Sequence, residues 1–143
     1  MAISKLAARR LTKLADYMET VKNSRFDMRE WVAHKGDSYR LDNHHSIKTA
    51  SDIPMVMAEC GMSACALGYA AMIPSFRRAG LTLELGGVGE AYPVTPSGRT
   101  GFNAASEFFN ITHHQSEVLF DVDEIRTPKQ WVMHCRKFLR DNA

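Results

Sequence analysis

Three groups of residues in this 143-residue chain are of types that do chemistry. The first is Cys60-Gly61-Met62-Ser63-Ala64-Cys65. A cysteine just ahead of a helix gains thiolate character from the N-terminal dipole. Activating Cys60 as the nucleophile of a cysteine-dependent hydrolase would also need His113, His114 or His134 beside it. The plainer reading makes both thiols small buried residues, where free cysteine usually sits. The step from Cys60 to Cys65 is longer than the knuckle spacing of structural zinc sites. Neither these thiols with His134 and Cys135, nor the pair His44 and His45, therefore reads as a metal site, and no metal is expected.

The second group is Thr95-Pro96-Ser97-Gly98-Arg99-Thr100-Gly101, directly ahead of a helix. Its glycines leave backbone amides accessible, and the hydroxyls and guanidinium can donate. Helix N-termini favour phosphate or carboxylate. Ser97, Gly98, Arg99 and Thr100 are thus the candidate ligand-binding residues for an anion such as a nucleotide. The loop lacks the Gly-Lys-Ser/Thr ending of a nucleotide-hydrolase phosphate loop. Read plainly, it is a solvated connection between a hairpin and a helix. Arg77-Arg78 form the third group and are added as candidate anion contacts, although arginines at a helix end also answer the dipole. Asp121-Val122-Asp123-Glu124 lacks the spacing of a calcium loop and reads as a solvated turn. No cofactor motif is present, and no cofactor is expected.

The elements that must position these residues follow from hydrophobic periodicity. Residues 3–22 read as an amphipathic helix, with Ile3, Ala7, Leu11, Leu14, Met18 and Val21 on one side. Phe26, Met28, Trp31 and Val32 form a short apolar segment beside it. His34–Asp52 is polar and aperiodic, and reads as a flexible or inserted loop. Residues 61–73 are apolar nearly all round, which predicts a buried core helix. Pro74 restarts the chain, and Gly80 ends the next turn. Leu81–Leu85 alternates as a strand, Gly86-Gly87-Val88-Gly89 turns it, and Glu90–Val94 pairs back. Pro93 predicts that this second strand lies at a sheet edge. Gly101–Phe109 reads as a helix. Thr112-His113-His114-Gln115 and Thr127-Pro128-Lys129-Gln130 are capping boxes that open two more. The expected fold is mainly α, of the α+β kind, with about five helices and one small antiparallel β-hairpin in a single domain spanning 1–143.

Composition narrows the function classes. Hydrophobic residues make up 45% and charged residues 24%, the profile of a folded soluble protein. No apolar run is long enough to span a bilayer, no signal-peptide core follows Met1, and three cysteines do not make a disulfide framework. A cytoplasmic, non-membrane protein is expected. The net charge of +2 divides along the chain: residues 1–48 carry +4, residues 49–125 carry −6 and residues 126–143 carry +4. This is not the concentrated basic stripe of a nucleic-acid binder. Basic ends around an acidic middle favour internal pairing or a homo-oligomer.

With these residues on the page, the chain resembles a group of small bacterial and bacteriophage proteins with no established function. Its marks are a short N-terminal amphipathic helix, then Arg25-Phe26-Asp27-Met28 with Trp31. Cys60-Gly61-x-x-x-Cys65-x-x-Gly68-x-Ala70 follows, then Ala104-Ala105-Ser106-Glu107-Phe108-Phe109. Ile111-Thr112, Leu119-Phe120 and the Thr127-Pro128 helix start complete it. The resemblance covers most of the chain outside His34–Asp52 and implies a phage or prophage origin, but no activity.

The function expected from the residues is non-enzymatic binding of an anionic small ligand such as a nucleotide. The alternative is an inhibitor that occupies a host protein through the basic terminal helices. A hydrolase using Cys60 comes third.

Overall fold

The computed structural model describes residues 2–29, 31–34, 62–85 and 91–143. Helix α1 spans Lys5–Met18 and starts where Ser4 accepts the Ala7 N–H at 3.0 Å. Such a cap satisfies an N–H that the first turn leaves without an intrahelical partner. The helix is shorter at both ends than its apolar pattern predicts. Ile3 and Val21 do pack on the core, but from flanking chain, and the Ile3 N–H is bound to the Asn142 carbonyl at 2.9 Å. The first and last parts of the chain are thereby tied together.

A single 3-10 turn, Asn23–Arg25, leads to strand β1, Val32–His34. Strand β2, Met62–Ala64, lies antiparallel to it with Val32 opposite Ala64 and His34 opposite Met62. Helix α2 is only Ala66–Ala70. The helix expected over 61–73 is therefore corrected. Met62–Ala64 is strand, because its backbone pairs with β1, and the chain turns again after Ala70 at the approach to Pro74. Helix α3, Pro74–Arg78, ends at Gly80, whose φ of 112° suits a residue without Cβ.

Strands β3 (Thr82–Leu85) and β4 (Ala91–Val94) form the expected antiparallel hairpin, with Thr82 opposite Val94 and Leu85 opposite Ala91. The predicted turn at Gly86–Glu90 lies outside the described residues, as do positions 35–52 of the predicted loop. The hairpin is half of a four-stranded sheet ordered β2-β1-β4-β3. Strand β4 is thus internal, whereas Pro93 led us to expect an edge. The physical reason is register: β1 pairs with β4 only at Val32–Ala91, so β1 asks no donor of Pro93.

Helices α4 (Gly101–Phe109), α5 (His113–Phe120) and α6 (Pro128–Asp141) close the domain. Thr112 with Gln115, and Thr127 with Gln130, form the two capping boxes expected at the starts of α5 and α6. Asn110, at φ 55°, makes the left-handed stop between α4 and α5. An aromatic row runs through the core with centroid spacings of 4.9 Å for Phe76–Phe108, 5.6 Å for Phe109–Phe120 and 5.9 Å for Phe120–Trp131. Trp131 is fully buried, and its indole N–H reaches the Leu119 carbonyl at 2.8 Å, so its polar atom is satisfied. The most extensive helix contact is α1 on α6. The molecule is mainly helical with a small sheet, and no helix among the described residues is long and apolar enough to cross a membrane.

Candidate functional site

The Thr95–Gly101 loop is closed by its own backbone. Val94 bridges to Thr100, the Thr95 N–H binds the Arg99 carbonyl at 3.0 Å, and the Gly98 N–H binds the Thr95 carbonyl at 2.9 Å. Gly98 adopts φ 89° to make this turn. Of the candidate anion donors, the Ser97 hydroxyl turns toward Glu107, on the second turn of α4, and the neighbouring Thr95 hydroxyl joins it. Thr95 Oγ1 lies 2.8 Å from Glu107 Oε1, and Ser97 Oγ lies 2.6 and 2.7 Å from the two carboxylate oxygens. The hydroxyl of Ser97, then that of Thr95, and the nearby Arg99 guanidinium hold the Glu107 carboxyl below the usual glutamate range. The loop therefore already carries an anion, supplied by the chain itself.

Ser97, Gly98, Arg99 and Thr100 are all exposed. Thr100 caps α4 without a side-chain hydrogen bond. Pro96 sits against Gly80, where an added Cβ would meet its ring carbons at 3.0 Å. This contact brings the end of the Arg77-Arg78 helix beside the loop. Arg78 is exposed and Arg77 half-buried, and neither forms an ion pair with a described residue.

Cys60 lies outside the described residues. Cys65 is the N-cap of α2, its sulfur accepting the Gly68 N–H at 3.3 Å, while its own N–H binds the Trp31 carbonyl at 3.3 Å. Gly68 explains the rest of the motif. A Cβ there would lie 1.8 Å from the Trp31 carbonyl oxygen, so only glycine lets the helix approach the backbone that leads into β1. Trp31 in turn packs edge-on against Phe102 with centroids 5.0 Å apart, which seats the start of α4. The described part of the motif thus works in packing. Cys135 faces the Leu11 carbonyl at 3.8 Å, and burial pushes its thiol up to about 12, which suppresses the thiolate at neutral pH. His134 Nε2 lies 2.6 Å from the Val118 carbonyl, and His113 lies 3.6 Å from Glu117. Among the described residues, no three His, Cys, Asp or Glu side chains converge as they would around a metal ion.

The surface that residue-by-residue reading undervalued is made by the two terminal helices. The helices α1 and α6 carry eight basic and two acidic side chains, a net +6 on a protein whose net charge is +2, although Arg10 turns away from the pair to the carbonyl and ring of Phe108 on α4. The end of α1 and the beginning of α6 border a cleft of about 480 Å³. Met18 and Val21 line one side, with Pro128, Val132 and Met133 on the other. Arg136 spans the helix pair, reaching Asp16 at 3.1 Å and Glu19 at 2.8 Å. Met133 is 63% exposed beside the cleft. The basic charge at both chain ends was the signal available for this face, and only the packing of α1 on α6 joins the two. Comparison with family models, curated proteins and solved structures finds no match for this chain.

Proposed function

We propose that this is a non-enzymatic binding protein whose working surface is the α1·α6 face and whose partner is an acidic protein surface. The observation that carries the reading is the union of both basic chain ends on one packed helix pair. An excess of positive charge, even with Arg136 and Lys137 paired to Asp16, Glu19 and Asp141, steers an oppositely charged partner toward it. The cleft and exposed Met133, bordered by Glu19, Lys129 and Arg136, match the apolar centre and polar rim of a protein interface. A nucleic-acid phosphate backbone would make no use of such an apolar centre. The resemblance to bacteriophage proteins adds a setting in which occupying a host protein would serve.

The anionic-ligand reading takes second place because Glu107 holds the Thr95 and Ser97 hydroxyls. A nucleotide at this loop would have to displace that carboxylate or lie beside it. Photo-crosslinking in cells separates the two readings. Crosslinkers replacing the exposed residues Lys13, Met133 and Lys137 should capture an acidic protein, whereas crosslinkers at Ser97, Arg99 and Glu84 should not. Capture from Ser97 and Arg99 alone, or equally from all six positions, would sink the proposal.

A further inference from the structure

We infer that the polar hollow beside the turn from α5 to α6 binds a free α-amino acid, with Arg126 taking its carboxylate and Asp123 its ammonium group. The hollow lies past Asn23, beyond the cleft of the α1·α6 face, and the inference does not rest on the function proposed for that face.

The hollow measures about 420 Å³ and is lined by Asn23, Phe26, Asp27, Arg29, Asp123 and Arg126. That volume falls in the range of small-molecule sites. Two carboxylates and two guanidinium groups border it, and the two couples end differently. The Asp27 carboxylate accepts from the Arg29 backbone N–H at 3.0 Å and from Nε and Nη2 at 3.1 Å. Asp123 and Arg126 stand three residues apart, yet neither forms an ion pair with the other or with any other described residue. Elsewhere on the surface opposite charges within reach do pair, as Arg136 does with Asp16 and Glu19, and Lys137 with Asp141.

The backbone explains why Asp123 and Arg126 stay apart. Asp121, closing α5, donates its N–H to the Glu117 carbonyl at 2.9 Å, and the Ile125 N–H binds the Val122 carbonyl at 3.1 Å. Val122 and Ile125 both pack on the core, and the Arg126 N–H binds the Gln130 side chain at 2.8 Å as α6 begins. The turn is therefore fixed before, between and after the two exposed charges. A frame already ordered has little entropy left to lose when a ligand arrives.

A zwitterion is the ligand that uses both charges. An anion drawn to Arg126 also meets Asp123, and a cation drawn to Asp123 also meets Arg126. An α-amino acid carries carboxylate and ammonium on one carbon, so each group finds its opposite and makes charge-assisted hydrogen bonds. The planar guanidinium of Arg126 suits a carboxylate in two-point contact. Phe26 and Asn23 complete the lining with an aromatic residue and an amide that can both donate and accept.

The test is calorimetric titration of the full chain with each of the standard L-amino acids at low salt. An amino acid that binds is then compared with its own amide, which lacks the carboxylate, and its N-acetyl form, which lacks the ammonium. Each derivative should bind about tenfold more weakly or worse, because each loses a charge-assisted contact. Arg126→Gln and Asp123→Asn should weaken the parent amino acid by a similar factor. Both residues are exposed, so both variants should melt as the wild type does. The comparison of derivatives on the wild type stands even where a variant fails to fold. Absence of binding by every amino acid overturns the inference. Equal binding of parent, amide and N-acetyl form overturns it too, since the zwitterion would then go unread. Equal binding of the N-acetyl form with loss only in Arg126→Gln would leave a plain carboxylate site and overturn the amino-acid assignment. Binding that both variants retain in full would place the ligand elsewhere and overturn the hollow.

Discussion

The Thr95–Gly101 loop and the α1·α6 face both present cations and hydrogen-bond donors to solvent, yet they end in opposite states. In the loop, Thr95 and Ser97 donate to Glu107, two turns along the helix that the loop itself introduces. On the helix pair, eight basic side chains meet two acidic ones, and a large methionine remains exposed. A carboxylate close in sequence can satisfy a polar loop locally, at little cost in chain entropy. On the helix pair only part of the charge is answered in this way: Arg136 reaches Asp16 and Glu19 and Lys137 reaches Asp141, while Lys129 forms no ion pair among the described residues. Internal satisfaction thus closes the loop, whereas on the helix pair Lys129 and Met133 stay exposed to solvent.

The largest test of this contrast strikes the loop's foundation. Gly68→Ala places a Cβ against the Trp31 carbonyl, and Trp31 supports Phe102 at the start of α4. Overpacking against backbone should cost about 3 kcal/mol or more, measured by urea denaturation. A variant as stable as the wild type would mean that the strand and helix separate freely and that the loop has no rigid base.

A middle-sized effect is expected at the loop itself. Thr95 is buried, and Thr95→Val should cost about 1 kcal/mol through the lost hydrogen bond. Because Glu107 is held below its ordinary value, its ionised form favours the folded state. That contribution is fully present above the unfolded glutamate value near 4.5 and is lost as pH falls through the depressed folded value. The difference in urea midpoint between wild type and Glu107→Gln should therefore be constant above about pH 4.5 and shrink below it. A gap that stays constant through the acid range would show that the hydroxyls do not hold the carboxylate.

The smallest effect should come from the other region. Lys129→Glu and Met133→Ala remove groups that the fold does not use, so their melting temperatures should match a change within about 0.5 kcal/mol. A loss comparable to that of Thr95→Val would mean that the helix-pair surface is itself part of the packing, and the contrast would fail.

Read in order, the residues already determine the helices whose signals are local. Thr112 and Thr127 begin α5 and α6 where their capping chemistry requires, and Gly80 stops α3, whereas the periodicity that marks α1 runs past both of its ends. The β3–β4 alternation is equally plain in the sequence. Tertiary structure decided what depends on distant partners. Val32–His34 and Met62–Ala64 are too short to show a period, and they become strands because their backbones meet across a long stretch of chain. Cys65 reads as part of a helix interior until its thiol is seen capping that helix at Gly68. Glu107 reads as an ordinary exposed helix residue until the loop folds back over it. The charge at each chain end is legible in the residues, but the packing of the two helices that carry it is not. Periodicity records which side of a helix is buried, whereas only packing selects α6 as the element that covers α1.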